Sequence, residues 1–163
     1  LIDTPGHARH HHCIWDEHTR GWFTGDTFGL SYREFDTAQG PWIFPTSTPV
    51  QFEPDALAGS IRRLLDAQPE CMSLTHYARV GDVPRLGALL QSLLQAMFDI
   101  GERSRPGPAR HGWLKEQLAT LYLDSLARHG CTLDADAVRE LLAIDIELNA
   151  QGMGVWLDRA ARG

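Results

Sequence analysis

Four of the chain's eight histidines fall within six residues, at His7, His10, His11 and His12. Imidazole is both a metal ligand and a proton carrier near neutral pH, so the first question is which of these rings could act together. Three polar residues share one kind of address. His7 follows the turn-forming T-P-G, Asp26 follows the apolar run WFTG, and His76 follows CMSLT. Residues just beyond strand ends are held by rigid elements and often gather into sites. Two imidazoles and a carboxylate there could bind a borderline ion such as Zn2+. The gaps of 19 and 50 residues form no local ligand motif. By spacing alone, a surface turn histidine, a turn aspartate and a strand-end histidine are the plainer readings. Tyr77 and Arg79 follow His76 and could meet a substrate, Arg79 as an anion anchor, or could serve as packing and a solvated cation. His10 and His12 face one side of a strand and His11 the other. Three internal histidines are too few for a purification tag. His18, His111 and His129 receive no site role, and His129 suits the dipole of a helix C-terminus.

These residues need elements to hold them. Residues 1–3 read as the end of a strand, and Thr4-Pro5-Gly6-His7 as a type II turn with Gly where φ is positive. Residues 10–15 and 21–25 read as two strands joined by a polar hairpin connection. Residues 27–50 carry Pro and Gly without periodicity and read as a long loop of the kind that often has a function. Pro54 opens a helix with Leu57, Ile61, Leu64 and Leu65 on one face. Residues 71–75 read as a buried strand. Asp82 is expected to cap a long helix carrying Leu86, Leu89, Leu90, Leu93, Leu94, Met97 and Phe98. Residues 104–108 break it. A third helix is predicted over 113–128, ended by Gly130. A fourth runs over 134–149, with Gly152 and Gly154 interrupting it before a last short turn.

Composition narrows the class. Hydrophobic residues make up 43% of the chain and charged residues 22%, which suits a folded globule. Acids outnumber bases by 21 to 15, a formal charge of −6, so a basic nucleic-acid surface is not expected. No apolar run reaches the roughly 20 residues that span a bilayer. Cys13, Cys71 and Cys131 are an odd, widely spaced set, which fits reduced thiols in a cytoplasm. Cys13 and Cys71 are expected to be buried, and Trp15, Trp22 and Trp42 to anchor core and loop. Homo-oligomerisation is left open.

The words around the three candidates occur in the order TPGHA, FTGDTFG, LTHYARVGD. Over residues 1–82 they resemble the metallo-β-lactamase-fold hydrolases, the superfamily that includes glyoxalase II. The resemblance implies that His7 serves a first metal, that Asp26 bridges two, and that His76 serves the second. It matches His11 to a histidine that supports the ligands, with Thr4, Thr24 and Thr27 as candidates for fixing imidazole tautomers. The superfamily word H-x-H-x-D-H is absent from this chain. The expected architecture is therefore α/β (α+β): residues 1–82 as the C-terminal half of an αββα sandwich, and residues 83–163 as a helical extension. The expected partner is a missing N-terminal half of the same protein, and without it an apolar sheet face should lack its cover.

By this resemblance the intact protein is a dinuclear hydrolase of a small ester, thioester or related molecule. Two divalent ions, Zn2+ first and iron or manganese as alternatives, activate a hydroxide. Each ion keeps only two protein ligands here, so the fragment alone should bind metal weakly and not turn over. Two rivals are a non-haem iron oxygenase or oxidoreductase on the same fold, and a non-catalytic helical binding module.

Overall fold

The computed structural model describes residues 1–76 and 79–162. It is a mixed α+β fold. One five-stranded sheet runs in the order β1 (Ile2–Asp3), β2 (His12–Asp16), β3 (Gly21–Gly25), β4 (Cys71–Leu74), β5 (Arg79–Val80). All neighbours are antiparallel except β3 and β4, which are parallel. A parallel pair needs a long crossover. Here it is the segment 26–53 followed by α1 (Pro54–Asp66). Four further helices follow: α2 (Val83–Arg103), α3 (Arg110–Arg128), α4 (Ala135–Leu141) and α5 (Ala143–Ala160). None of the described helices is long and apolar enough to cross a membrane.

Alternation along the strands sorts the two sheet faces. Cys13, Trp22, Met72 and Val80 are buried. The Trp22 indole donates to the Leu64 carbonyl of α1 at 3.1 Å, tying the sheet to that helix. The opposite face carries Ile14 and Phe23, which are direct cross-strand partners and are 49% and 53% exposed. Ser73 and Arg79 continue the same row across β4 and β5. One buried cluster runs from Cys13 to Met153 and draws on both the sheet region and the helices beyond it.

Several elements differ from the sequence expectations for identifiable reasons. The second strand begins at His12, not at residue 10. The long loop is not a surface excursion: Phe28, Phe35, Trp42, Ile43 and Phe44 are fully buried. Its backbone is satisfied by a Leu30–Phe44 bridge with two 3.0 Å bonds, and Trp42 stacks on Phe44 at 5.1 Å. Asp82 makes no capping bond. Its backbone is left-handed (φ 47°) and its carboxylate pairs with Arg85 at 2.5 Å. The third helix starts three residues earlier than expected, at Arg110. The fourth breaks at Leu142, not at the glycines, and α5 continues through Gly152 and Gly154. Gly152 is a contact point: a Cβ there would lie 2.3 Å from Ser47 Oγ and 2.8 Å from the Thr48 carbonyl. The short strand β5 was not anticipated.

Candidate functional site

The turn that carries His7 is pressed against α1. Gly6 has φ 131°, and a Cβ on it would sit 2.2 Å from the Leu57 nitrogen. Only glycine permits that approach. The Gly6 carbonyl accepts from Glu53 N at 2.8 Å, and Ser60 Oγ donates to the Pro5 carbonyl at 2.7 Å. So anchored, His7 is buried and its Nδ1 lies 3.1 Å from the Thr46 carbonyl. A carbonyl can only accept, so Nδ1 carries the proton, and in the neutral ring Nε2 presents a lone pair. That Nε2 lies 3.4 Å from Asp26 Oδ2.

Asp26 is aimed by the end of β3. The β3–β4 register shifts between Phe23 and Gly25, an irregularity of the kind that redirects a strand beside a site. Gly25 follows with φ 50°. The Asp26 amide then donates to His11 Nε2 at 3.2 Å. Since Nε2 accepts, Nδ1 carries the proton and donates to the hydroxyls of Thr4 and Thr27, each at 3.0 Å. Burial, and secondarily the neighbouring His7, push the His11 pKa below the ordinary imidazole value, which favours this neutral form. His11 therefore holds the backbone of Asp26. Thr4 and Thr27 act on His11, and Thr24 bonds to the main chain at Gly25 and Ser73. The sequence expectation for these threonines is that they fix the imidazole tautomers of the site. For His7 that work is done by the Thr46 carbonyl, which no residue-type signal marks.

His76, half exposed, places Nε2 3.8 Å from Asp26 Oδ1. The two carboxylate oxygens of Asp26 thus face different imidazoles. Oδ1 is buried and has no hydrogen-bond donor among the described residues. Arg79 lies on β5, where the neighbouring Cys71 and, more weakly, Glu70 hold its guanidinium pKa above the ordinary value. It is not among the residues that line the cavity holding the three candidates. Tyr77 lies outside the described residues.

That cavity has a volume of about 390 Å³. His7, Asp26 and His76 form one wall, Thr46 to Pro49 another, and Tyr32 with Ile144, Asp145 and Leu148 of α5 a third. Asp145 was not anticipated. It is 6% exposed, and Tyr32 donates to its Oδ2 at 2.7 Å. Burial raises its pKa, and the Tyr32 hydrogen bond opposes the rise. The signal was present in the sequence: Asp145 and Asn149 are polar residues on the helical stripe that buries Leu142, Ile146 and Met153.

The donor set fits a cation in part. Zinc–nitrogen and zinc–oxygen bonds of about 2.0–2.2 Å put neighbouring ligand atoms about 3.4 Å apart in a tetrahedron. The His7–Asp26 separation of 3.4 Å matches that edge, and the 3.8 Å His76–Asp26 separation is somewhat longer. The orphaned Asp26 Oδ1 also fits a site that expects positive charge. No set of three or more His, Cys, Asp or Glu side chains among the described residues is arranged around a single point. The arrangement is two pairs that share Asp26.

No family model matches the chain, and no curated protein matches it. Among solved structures, the chain is similar to an archaeal metallo-β-lactamase superfamily protein from Sulfolobus tokodaii, at 22% identity and a TM-score of 0.45. The match covers 84% of this chain and 44% of that one, so this chain spans less than half the length of that structure.

Proposed function

We propose that residues 1–82 are the C-terminal half of a metallo-β-lactamase-fold domain, that residues 83–163 are its helical extension, and that the intact protein is a dinuclear metallohydrolase. Its substrate class is a small ester, thioester or related molecule. The observation that carries this reading is the pairing of Asp26 with two imidazoles, one on each oxygen, while its buried Oδ1 finds no hydrogen-bond donor among the described residues. His7 and Asp26 would hold one ion, and Asp26 and His76 the other. Divalent ions in such a place supply Lewis acidity, which polarises a carbonyl and lowers the pKa of water. The chain's own contribution is orientation. Thr46 keeps the His7 Nε2 lone pair turned inward, and His11 holds the Asp26 backbone. Ile144 and Leu148 offer an apolar lip to the cavity. The uncovered Ile14–Phe23 row is where the rest of the domain would dock, and burying both side chains would gain about 2 kcal/mol.

Calorimetric titration with Zn2+ tests the reading. With two protein ligands per ion, the chain alone should bind weakly, and Asp26→Asn should abolish the binding. The metal-free Asp26→Asn protein should also be more stable than wild type by about 1 kcal/mol, because its amide can donate to the His7 lone pair. Zn2+ binding that survives Asp26→Asn unchanged would refute the assignment.

A further inference from the structure

The Thr46 carbonyl that orients His7 is itself held from the far end of the chain. Thr46 C=O and Ser47 N–H belong to one peptide group, which is planar, and the described chain contains no cis peptide. The two groups therefore point in opposite directions. On the carbonyl side sits His7 Nδ1 at 3.1 Å, and on the amide side sits Asn149 Oδ1 at 2.8 Å. Asn149 lies on α5 and is fully buried. Its orientation is chemically forced, because Ser47 N–H can only donate and the Pro45 carbonyl, 3.0 Å from Nδ2, can only accept. The Tyr122 hydroxyl accepts the second Nδ2 hydrogen at 2.9 Å. Gly152, one turn further along α5, lets the helix approach Ser47 and Thr48 closely enough for these bonds.

We infer that Asn149 is a positioning residue for His7, acting through the Thr46–Ser47 peptide group to keep the imidazole proton on Nδ1. The inference rests on the reading above, in which Nε2 is the working atom of His7. Its physical content is a choice between two tautomers. With the proton on Nδ1, Nε2 offers a lone pair to a cation. With the proton on Nε2, the ring donates to Asp26 Oδ2, only 3.4 Å away, and both atoms are quenched as ligands. Removing Asn149 leaves the Ser47 amide buried without a partner, a penalty the peptide relieves by turning. The Thr46 carbonyl then leaves Nδ1, and the ring is free to bond to Asp26. The helical extension thereby acquires a role in the centre without contributing a ligand to it.

Nitrogen NMR of the His7 ring in the metal-free protein tests this directly. At about pH 8, above the ordinary imidazole pKa of about 6.5, the wild-type ring should carry its proton on Nδ1. Asn149→Leu should move it largely to Nε2 and weaken Zn2+ binding about tenfold, in the range found when a ligand's supporting bond is lost. Leu118→Ala, a truncation of the core on α3, is the control for destabilisation alone and should leave the tautomer unchanged. A wild-type ring protonated on Nε2, or a folded Asn149→Leu protein with the wild-type tautomer, overturns the inference. Should Asn149→Leu not fold, Asn149→Ala is read in its place by the same criteria. A tautomer shift with no Zn2+ binding in either protein would uphold the inference and sink the metal reading.

Discussion

Substituting Gly25 by alanine attacks the support of Asp26 at a point where the cost can be worked out. Gly25 sits at φ 50°, and an added Cβ would lie 2.4 Å from His11 Nε2. A left-handed backbone costs a residue with a Cβ about 1–2 kcal/mol. The clash forces the His11 ring away, which breaks its bond to the Asp26 amide and costs about 1 kcal/mol more. The ring cannot yield cheaply, because Thr4 and Thr27 grip its other nitrogen. Gly25→Ala should therefore lose about 2–3 kcal/mol in urea unfolding. In a His11→Ala background the clash is gone and only the backbone cost of about 1–2 kcal/mol remains. The double-mutant cycle should then show a coupling of about 1 kcal/mol. Strictly additive losses would refute the reasoning that His11 and Gly25 jointly hold Asp26.

Asp145 makes a pH prediction. Its folded-state pKa is raised above the ordinary carboxylate value of 3.8. The unfolded chain then releases the proton first as pH rises, so this residue's contribution to stability is present at low pH and lost on passing through the two pKa values. Urea unfolding of Asp145→Asn should match wild type near pH 3 and exceed it near pH 7; the opposite trend would contradict the raised pKa. The cysteines make another prediction. Cys13 and Cys71 are buried, burial pushes the Cys13 thiol up, and Cys131 is partly exposed. A thiol reagent on the native protein should label Cys131 alone and reach all three only in denaturant, as mass spectrometry would show.

Much of what positions the cavity can be read from residue types. T-P-G-H demands a positive φ at Gly6, and the structure has one there. The 3-and-4 spacing of Leu57, Ile61 and Leu64 marks the buried face of α1. His7, Asp26 and His76 approach one another from similar addresses, one after a tight turn and two after apolar runs. What escaped was mostly non-local. Thr46 acts through its carbonyl, which every residue possesses. Gly152 reads as a helix breaker and is instead a contact point for Ser47 and Thr48. The break at Leu142 has no Gly or Pro to announce it. The aromatic residues of 28–44 lack periodicity because the segment packs by burying bulky rings, not by presenting a regular face. Asp145 and Asn149 were recoverable, since polar residues on an otherwise buried helical stripe need partners.

The bonds that complete the cavity join distant parts of the chain: Ser47 to Asn149 across 102 residues, and Tyr32 to Asp145 across 113. Closing such loops costs entropy that local contacts cannot repay, so these bonds should form late in folding. A nascent chain would have its sheet, α1 and α2 in place while the third cavity wall was still missing. Binding competence would thus arrive only after α5 has emerged, which makes that helix a checkpoint on synthesis as well as a wall.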